Sequence, residues 1–155
     1  MDDKPHSHRL RIGRRSEVGG CYLLTTCCNG RQARFANPEA ADIVLDALHW
    51  LVREGRMELL AAVVMPDHLH LVAVLRHGSL GGLMHGIKRH AALAINRAET
   101  RSGGPLWQPG YHDRALRSDQ AVEAAIGYCL KNPVRAGLVE DFREYPHWWC
   151  KFGLD

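Results

Sequence analysis

Two apolar segments separated by a two-residue break constrain the fold of this chain more than any other feature. Met57–Met65 and His68–Leu75 are both rich in β-forming residues, and only Pro66-Asp67 stands between them. Strands joined by so short a break pair with each other in an antiparallel hairpin. The sequence therefore predicts a β-hairpin at its centre.

Strand and helix signals alternate along the rest of the chain. Runs of β-formers indicate strands, a 3.6-residue apolar period indicates amphipathic helices, and Asn, Ser, Gly and Pro mark helix ends. The expected elements are a strand over Cys21–Cys28, a helix from Asn37 to near Gly55, a helix over Leu80–Arg97, a strand over Tyr111–Leu116, a helix from Ser118 or Asp119 to about Lys131 that Pro133 ends, and a short turn over Pro133–Ala136.

The order of these elements, β-α-β-β-α-β-α, predicts the fold class. It is typical of an α+β, ferredoxin-like antiparallel sheet of four to five strands with helices packed mainly on one face. A chain of 155 residues suits one domain. We expect a basic flexible arm at 1–15, the domain at 16–142, and a C-terminal tail at 143–155 that packs on the domain.

Composition excludes several classes of protein. The longest apolar runs, such as Leu59–Met65, are far shorter than the about 18–20 residues that span a bilayer. The polar, basic start is unlike a secretory signal. The five cysteines are odd in number and lack CxxC pairs. We therefore expect a reduced, cytoplasmic protein without a membrane segment or zinc ribbon.

Positive charge is concentrated in the middle of the chain. Residues 76–117 carry seven basic and two acidic side chains, whereas residues 21–75 carry four and six. A concentrated basic surface is what a polyanionic partner requires. An unevenly charged, solvated face explains the same count equally well.

His68 and His70 flank a leucine inside the second apolar segment. On a strand, such side chains point to the same face about 6.5–7 Å apart, whereas on a helix they diverge. Two imidazoles that project together can bind a metal ion. Ten histidines also give such triplets by chance, as His6-Ser7-His8 shows, so the spacing alone leaves both interpretations open.

Tyr128 and Asn132 have the i, i+4 spacing that places two side chains on one face of a helix. A tyrosine hydroxyl can act as a nucleophile, and an asparagine can supply a neutral oxygen ligand to a cation. Spacing alone favours the ordinary alternatives, a half-buried core tyrosine and a capping asparagine.

Aromatic and basic residues alternate in Trp107-Gln108 and Tyr111-His112-Asp113-Arg114. Such a pattern can stack nucleobases and hold phosphates. A packed strand with a polar edge is the alternative.

Together these motifs resemble one known family. Met65-Pro-Asp-His-Leu-His70 looks like the metal-binding strand of the single-tyrosine HUH transposases. Leu106–Arg114 and Tyr128–Val139 look like that family's branch associated with repetitive extragenic palindromes (REP), and the helix over Lys88–Arg97 also fits. The match covers roughly residues 10–145 in consistent order. The chain therefore resembles the REP-associated tyrosine transposases, which form this branch of the single-tyrosine HUH family.

The sequence departs from the family pattern at three places. Asp67 stands where asparagine is commoner, and Gly127 stands where a β-branched residue is usual. Cys150 and Lys151 follow the late tryptophan where a serine pair is frequent. None of these residues is one of the expected metal ligands, but the last change obscures the role of the segment Trp148–Lys151.

The resemblance implies a specific chemistry on single-stranded DNA beside palindromic hairpins. His68, His70 and Asn132 match the ligands of a divalent metal, Mg²⁺ or Mn²⁺, which polarises the scissile phosphate. Tyr128 matches the nucleophile, which forms a 5′-phosphotyrosine link and releases a 3′-hydroxyl. A DNA 3′-hydroxyl later reverses the step, so strands are exchanged without ATP.

Several side chains are expected to contact the DNA, and the protein to act as a monomer or homodimer. The expected contacts are Arg11, Arg14 and Arg15 at a hairpin stem, and Lys88, Arg89, Arg97, Trp107, Gln108 and Arg114 at phosphates or bases.

Two other functions compete with this one. A nucleotide hydrolase of the histidine-triad type also uses alternating histidines on a strand, but its chemistry wants a third histidine where this chain has Val72. A non-catalytic DNA hairpin-binding regulatory protein derived from a transposase is the second alternative.

Overall fold

The computed structural model describes residues 16–100 and 104–153, so the predicted stem contacts Arg11, Arg14 and Arg15 and the arm at 1–15 lie outside the described residues. In chain order the strands and helices are β1 (Cys21–Cys27), α1 (Pro38–Arg53), β2 (Met57–Met65), β3 (His68–Leu75), α2 (Leu80–Ala98), β4 (His112–Leu116), α3 (Asp119–Arg135) and β5 (Trp148–Cys150). Short 3₁₀ turns lie at Asn29–Arg31, Arg34–Ala36 and Phe142–Glu144.

The five strands form one antiparallel sheet in the order β4-β1-β3-β2-β5. The central hairpin has the predicted bounds, with Met65 opposite His68 next to the turn and Met57 opposite Leu75 at the open end. The first four strands have the ferredoxin-like order, which confirms the predicted fold. β5 adds a fifth strand along the outer edge of β2.

Helices α1 and α2 cover one face of the sheet, and local sequence explains where each begins. The Asn37 side chain accepts a hydrogen bond from the Glu39 N–H, with Pro38 in the first turn. The Ser79 side chain caps α2 by accepting from the Gly82 N–H. The large apolar core lies between these helices and the sheet, and it includes Leu24, Leu48, Leu71, Leu83 and Ile87.

Helix α3 lies on the opposite face, over a smaller apolar cluster that includes Val63, Val72, Leu116, Ala125 and Cys129. Two of the three helices thus share one face, while α3 packs against the face from which His70 projects, as described below.

The expected end of α3 and the expected turn over Pro133–Ala136 were wrong. The helix continues through Pro133 to Arg135, because Pro133 falls in its last turn, where only one hydrogen bond is lost. Gly137 then ends it with a φ of 75°, and the Leu138 N–H donates to the Pro133 carbonyl at 2.9 Å. Asn132 and Arg135 therefore belong to the helix that carries Tyr128.

None of the helices in the described part of the chain combines the length and apolarity that crossing a bilayer requires.

Candidate active site

His68 and His70 lie on β3 and project from the same sheet face. On the neighbouring strand β1, Cys27 lies opposite His68 and Thr25 lies opposite His70. Their rings meet edge to face, with centroids 4.7 Å apart. The alternation of a strand thus brings both imidazoles together, as their spacing predicted.

Each imidazole is held through its Nδ1 atom. His68 Nδ1 donates to Asp67 Oδ1 at 2.7 Å. His70 Nδ1 lies 2.7 Å from the hydroxyl oxygen of Thr25. Both contacts leave the Nε2 atoms for another ligand, which is the arrangement that supports metal-binding histidines in proteins.

Burial keeps His70 neutral at ordinary pH. Desolvation by burial, followed by the charges of His68, Arg135 and Arg31, lowers the pKa of His70 to about 3. Asp67 stays ionised for a different reason. Burial acts to raise the pKa of Asp67, but hydrogen bonds from His68 and Arg31 outweigh that effect and lower it.

Tyr128 reaches the histidines from α3. Its ring centroid lies 5.4 Å from that of His70, and the two rings are nearly perpendicular. Arg135 also contacts this ring: its guanidinium carbon is 4.2 Å from the ring centroid, and its side chain donates to the Tyr128 carbonyl. Because the side chain is 44% exposed, a ligand can reach the phenol from solvent.

Asn132 lies one helical turn after Tyr128, on the same face of α3, and is half-buried. Within residues 16–100 and 104–153, no group of three or more His, Cys, Asp or Glu side chains is placed to hold a metal. A metal at the histidine pair would therefore need a different third ligand, and the amide oxygen of Asn132 is of the chemical kind required.

The structure gives two of the predicted DNA contacts a structural role. Trp107 is 8% exposed, packs against Phe35, and donates from its indole to the Lys88 carbonyl. Its ring is thus covered by the core, which agrees with the packed-strand alternative, and its role in DNA binding stays a prediction. Lys88 Nζ donates to the carbonyls of Gln108 and Gly110 at 2.9 Å each, so it fastens this loop to α2.

The remaining predicted contacts are divided between the two sides of the sheet. Gln108 is half-buried, and its N–H donates to the Cys27 carbonyl. Arg89 and Arg97 are exposed on α2, over the sheet face opposite the histidines. Arg114 is exposed on β4, on the same face as the histidines.

Three residues near the site received no role from the sequence. Arg31 comes from the turn after β1 and binds Asp67. Arg135 is seven residues after Tyr128, a spacing of two helical turns that would have placed it on the same face. His112 stands opposite Thr25 across the sheet, in the cross-strand row that includes His70. The sequence signal for His112 was the two-residue alternation along β4, which places its side chain on the same face as that of Arg114.

Comparisons with known proteins agree with this architecture. A family model described as "Transposase IS200 like" matches residues 19–128. The REP-associated tyrosine transposase of Escherichia coli (strain K12) is 23% identical over 130 residues, which cover 83% of this chain and 74% of that protein. A solved REP-associated tyrosine transposase bound to a REP hairpin superposes with a TM-score of 0.72 at 23% identity, covering 87% of this chain and 79% of its own.

Proposed function

Because the chain belongs to the IS200-like transposase family, we propose that it is a metal-dependent single-stranded DNA endonuclease and strand transferase. It acts next to palindromic hairpins through a 5′-phosphotyrosine intermediate. The observation that carries the proposal is the contact between the rings of Tyr128 and His70, because His70 in turn contacts His68. These contacts bring the tyrosine of α3 to the histidine pair at the centre of the sheet. The structural relative bound to a REP hairpin supports a hairpin as the partner.

The side chains fit a divalent metal. His68 and His70 would bind it through Nε2, since both Nδ1 atoms are already engaged, and Asn132 would add its amide oxygen. The ion, Mg²⁺ or Mn²⁺, would supply Lewis-acid polarisation of the scissile phosphate.

Tyr128 performs the covalent step in this proposal. Its Oη forms a bond to phosphorus while the bond to the 3′-oxygen breaks, and the phenolic proton is transferred through solvent to the departing 3′-oxyanion. The strand with the 5′-phosphate stays on Tyr128. Attack by a 3′-hydroxyl on this phosphotyrosine reverses the step and joins two strands, so the bond energy is conserved.

Basic side chains around the site favour a polyanion. Arg135 lies over the Tyr128 ring, and Arg31 binds Asp67 beside His68, so both guanidinium groups lie at the rim of the histidine pair. Arg114 lies on the same sheet face. These charges can hold the phosphates on either side of the scissile one. The predicted DNA contacts that lie farther from the histidine pair are Lys88, Arg89, Arg97, Trp107 and Gln108.

The test is covalent capture of a labelled single strand that contains a hairpin, in the presence of Mn²⁺. We expect Tyr128→Phe to bind the hairpin as the unsubstituted protein does and to lose the adduct. Tyr22→Phe is the matched control, because Tyr22 is buried against the core beneath α1 and α2, on the other face of the sheet. An adduct that survives in Tyr128→Phe would identify another nucleophile.

A second pair of variants tests the histidines. His68→Ala should abolish cleavage, whereas His77→Ala, which changes an exposed histidine after the far end of β3, should not. Hairpin binding without any adduct from the unsubstituted protein would instead support the non-catalytic regulatory function.

A further inference from the structure

Asp67 joins two side chains at the rim of the histidine pair. Its Oδ1 accepts from His68 Nδ1 at 2.7 Å, and its Oδ2 accepts from Arg31 Nε at 3.0 Å. Both oxygens of one carboxylate are thus used, one toward the candidate ligand and one away from it. The result is a continuous hydrogen-bonded chain, Arg31–Asp67–His68.

The backbone holds this chain in place as well. The Cys28 N–H donates to the Asp67 carbonyl, and the Phe35 N–H donates to the Pro66 carbonyl, both at 2.9 Å. The turn after β1 is therefore bound to the turn of the central hairpin. Arg31 has a φ of 54°, in the left-handed region that residues other than glycine seldom adopt.

We propose that Asp67, fixed by Arg31, is a positioning residue that sets which nitrogen of His68 can bind a metal. A carboxylate can only accept hydrogen bonds, so His68 must carry a proton on Nδ1. In the neutral ring, Nε2 then bears the lone pair. An asparagine at position 67 could turn either its oxygen or its nitrogen toward the ring, so it would not impose this choice.

This proposal rests on the proposed function, because it concerns the ligand that function assigns to His68. The positioning role nevertheless makes predictions that the proposed function alone does not make. In this proposal Asp67 is not itself a metal ligand, and its effect passes through the orientation and tautomer of one imidazole. A readout of metal affinity and of ring protonation therefore tests it apart from DNA cleavage.

The first measurement is Mn²⁺ affinity by calorimetry on the full chain without DNA. We expect Asp67→Ala to weaken binding by about 10–100-fold, the usual effect of removing a partner of a metal-binding histidine. Asp67→Asn should lose less, because an amide oxygen can still accept. Arg31→Ala should lose about 2–5-fold, since Arg31 is exposed and its contact with His68 passes through Asp67.

Arg76→Ala is the matched control. The Arg76–Glu58 pair has almost the same exposure as the Arg31–Asp67 pair, with side chains 51% and 28% exposed against 58% and 27%. It lies at the far end of the central hairpin. The Arg76→Ala protein should bind Mn²⁺ with unchanged affinity.

The second measurement identifies the protonated nitrogen of His68 by long-range ¹H–¹⁵N spectra. The unsubstituted protein should show protonated Nδ1, and Asp67→Ala should show a mixture of the two ring forms. If Asp67→Ala kept both the Mn²⁺ affinity and the ring form of the unsubstituted protein, the proposal would be overturned. If that variant does not fold, unchanged Mn²⁺ affinity in both Asp67→Asn and Arg31→Ala would overturn it equally.

His68→Ala separates this failure from failure of the proposed function. Loss of Mn²⁺ binding in His68→Ala together with full binding in Asp67→Ala would reject the positioning role alone. Full Mn²⁺ binding in His68→Ala would reject the assigned ligand, and with it both proposals.

Discussion

The two faces of the sheet are built from the same strands but bury different chemistry. The face beneath α1 and α2 is packed with apolar side chains such as Leu24, Leu69 and Leu71. The face beneath α3 has a smaller apolar cluster and, beside it, the buried His70. Because side chains alternate along a strand, the residue next to each leucine of the first face points to the second face. In the proposed function, the main core and the chemistry thus lie on opposite sides of one hairpin.

Leu71 and His70 are adjacent on β3 but point to opposite faces, so replacing each of them is the strongest test of this division. Leu71→Ala should lower the free energy of unfolding by about 2–5 kcal/mol, because Leu71 is fully buried in the main core. The folded protein should still form the DNA adduct. His70→Ala should cost less stability and abolish the adduct. Urea unfolding and the capture assay measure both, and a catalytically dead but folded Leu71→Ala protein would contradict the division.

Lowering the pH should reduce the free energy of unfolding through His70, which lies on the face beneath α3. The unfolded chain has an ordinary histidine that takes up a proton near pH 6.5, whereas the folded protein resists protonation of His70 until about pH 3. Unfolding therefore binds a proton between these values, and stability falls as the pH is lowered through this window. This histidine contributes a slope of up to about 1.4 kcal/mol per pH unit.

Urea midpoints measured from pH 7 to pH 4 check this slope. Replacing His70 with glutamine should flatten the profile, whereas the same change at the exposed His77 should not. Equal profiles for His70→Gln and the unsubstituted protein would show that His70 titrates normally in the folded state.

The smallest expected effect concerns the tyrosine ring. Arg135→Ala removes the guanidinium that lies over Tyr128, and a cation–π contact at an exposed site contributes about 0.5–1 kcal/mol. We expect adduct formation to slow by about 2–5-fold. Arg143→Ala is the control, because Arg143 lies over Phe142 in a similar way, 4.8 Å from its ring centroid. Equal rates for the two variants would remove Arg135 from the site.

Local patterns were sufficient for most of the fold. The bounds of the central hairpin were predicted to the residue, since Pro66-Asp67 interrupts two long β-forming runs. The end of α3 was missed because a proline in the last turn of a helix costs little when a glycine cap follows. Trp107 shows what local patterns leave open. The pattern around it fits both a nucleobase-stacking surface and a packed strand, and only the folded structure shows that its ring packs in the core.

The candidate site was predictable only in part. The alternation of β3 indicated that His68 and His70 share a face, and the family resemblance supplied Tyr128. Arg31 could not be foreseen, because its contact with Asp67 depends on how the turn after β1 packs on the central hairpin. Contacts of this kind, between segments far apart along the chain, produce no periodic pattern in the sequence.

Helix α3 is anchored through few and mostly small side chains, and this affects how the phenol can move. Its buried residues are Ala125, Cys129, Leu130 and Pro133. Helix α2 instead buries five long apolar side chains, Leu80, Leu83, Met84, Ile87 and Ile95. Segments with little buried apolar surface open first in amide hydrogen exchange. We therefore expect α3 to open before α2. In the proposed function it would carry the covalently held strand away from the sheet while the main core stays folded.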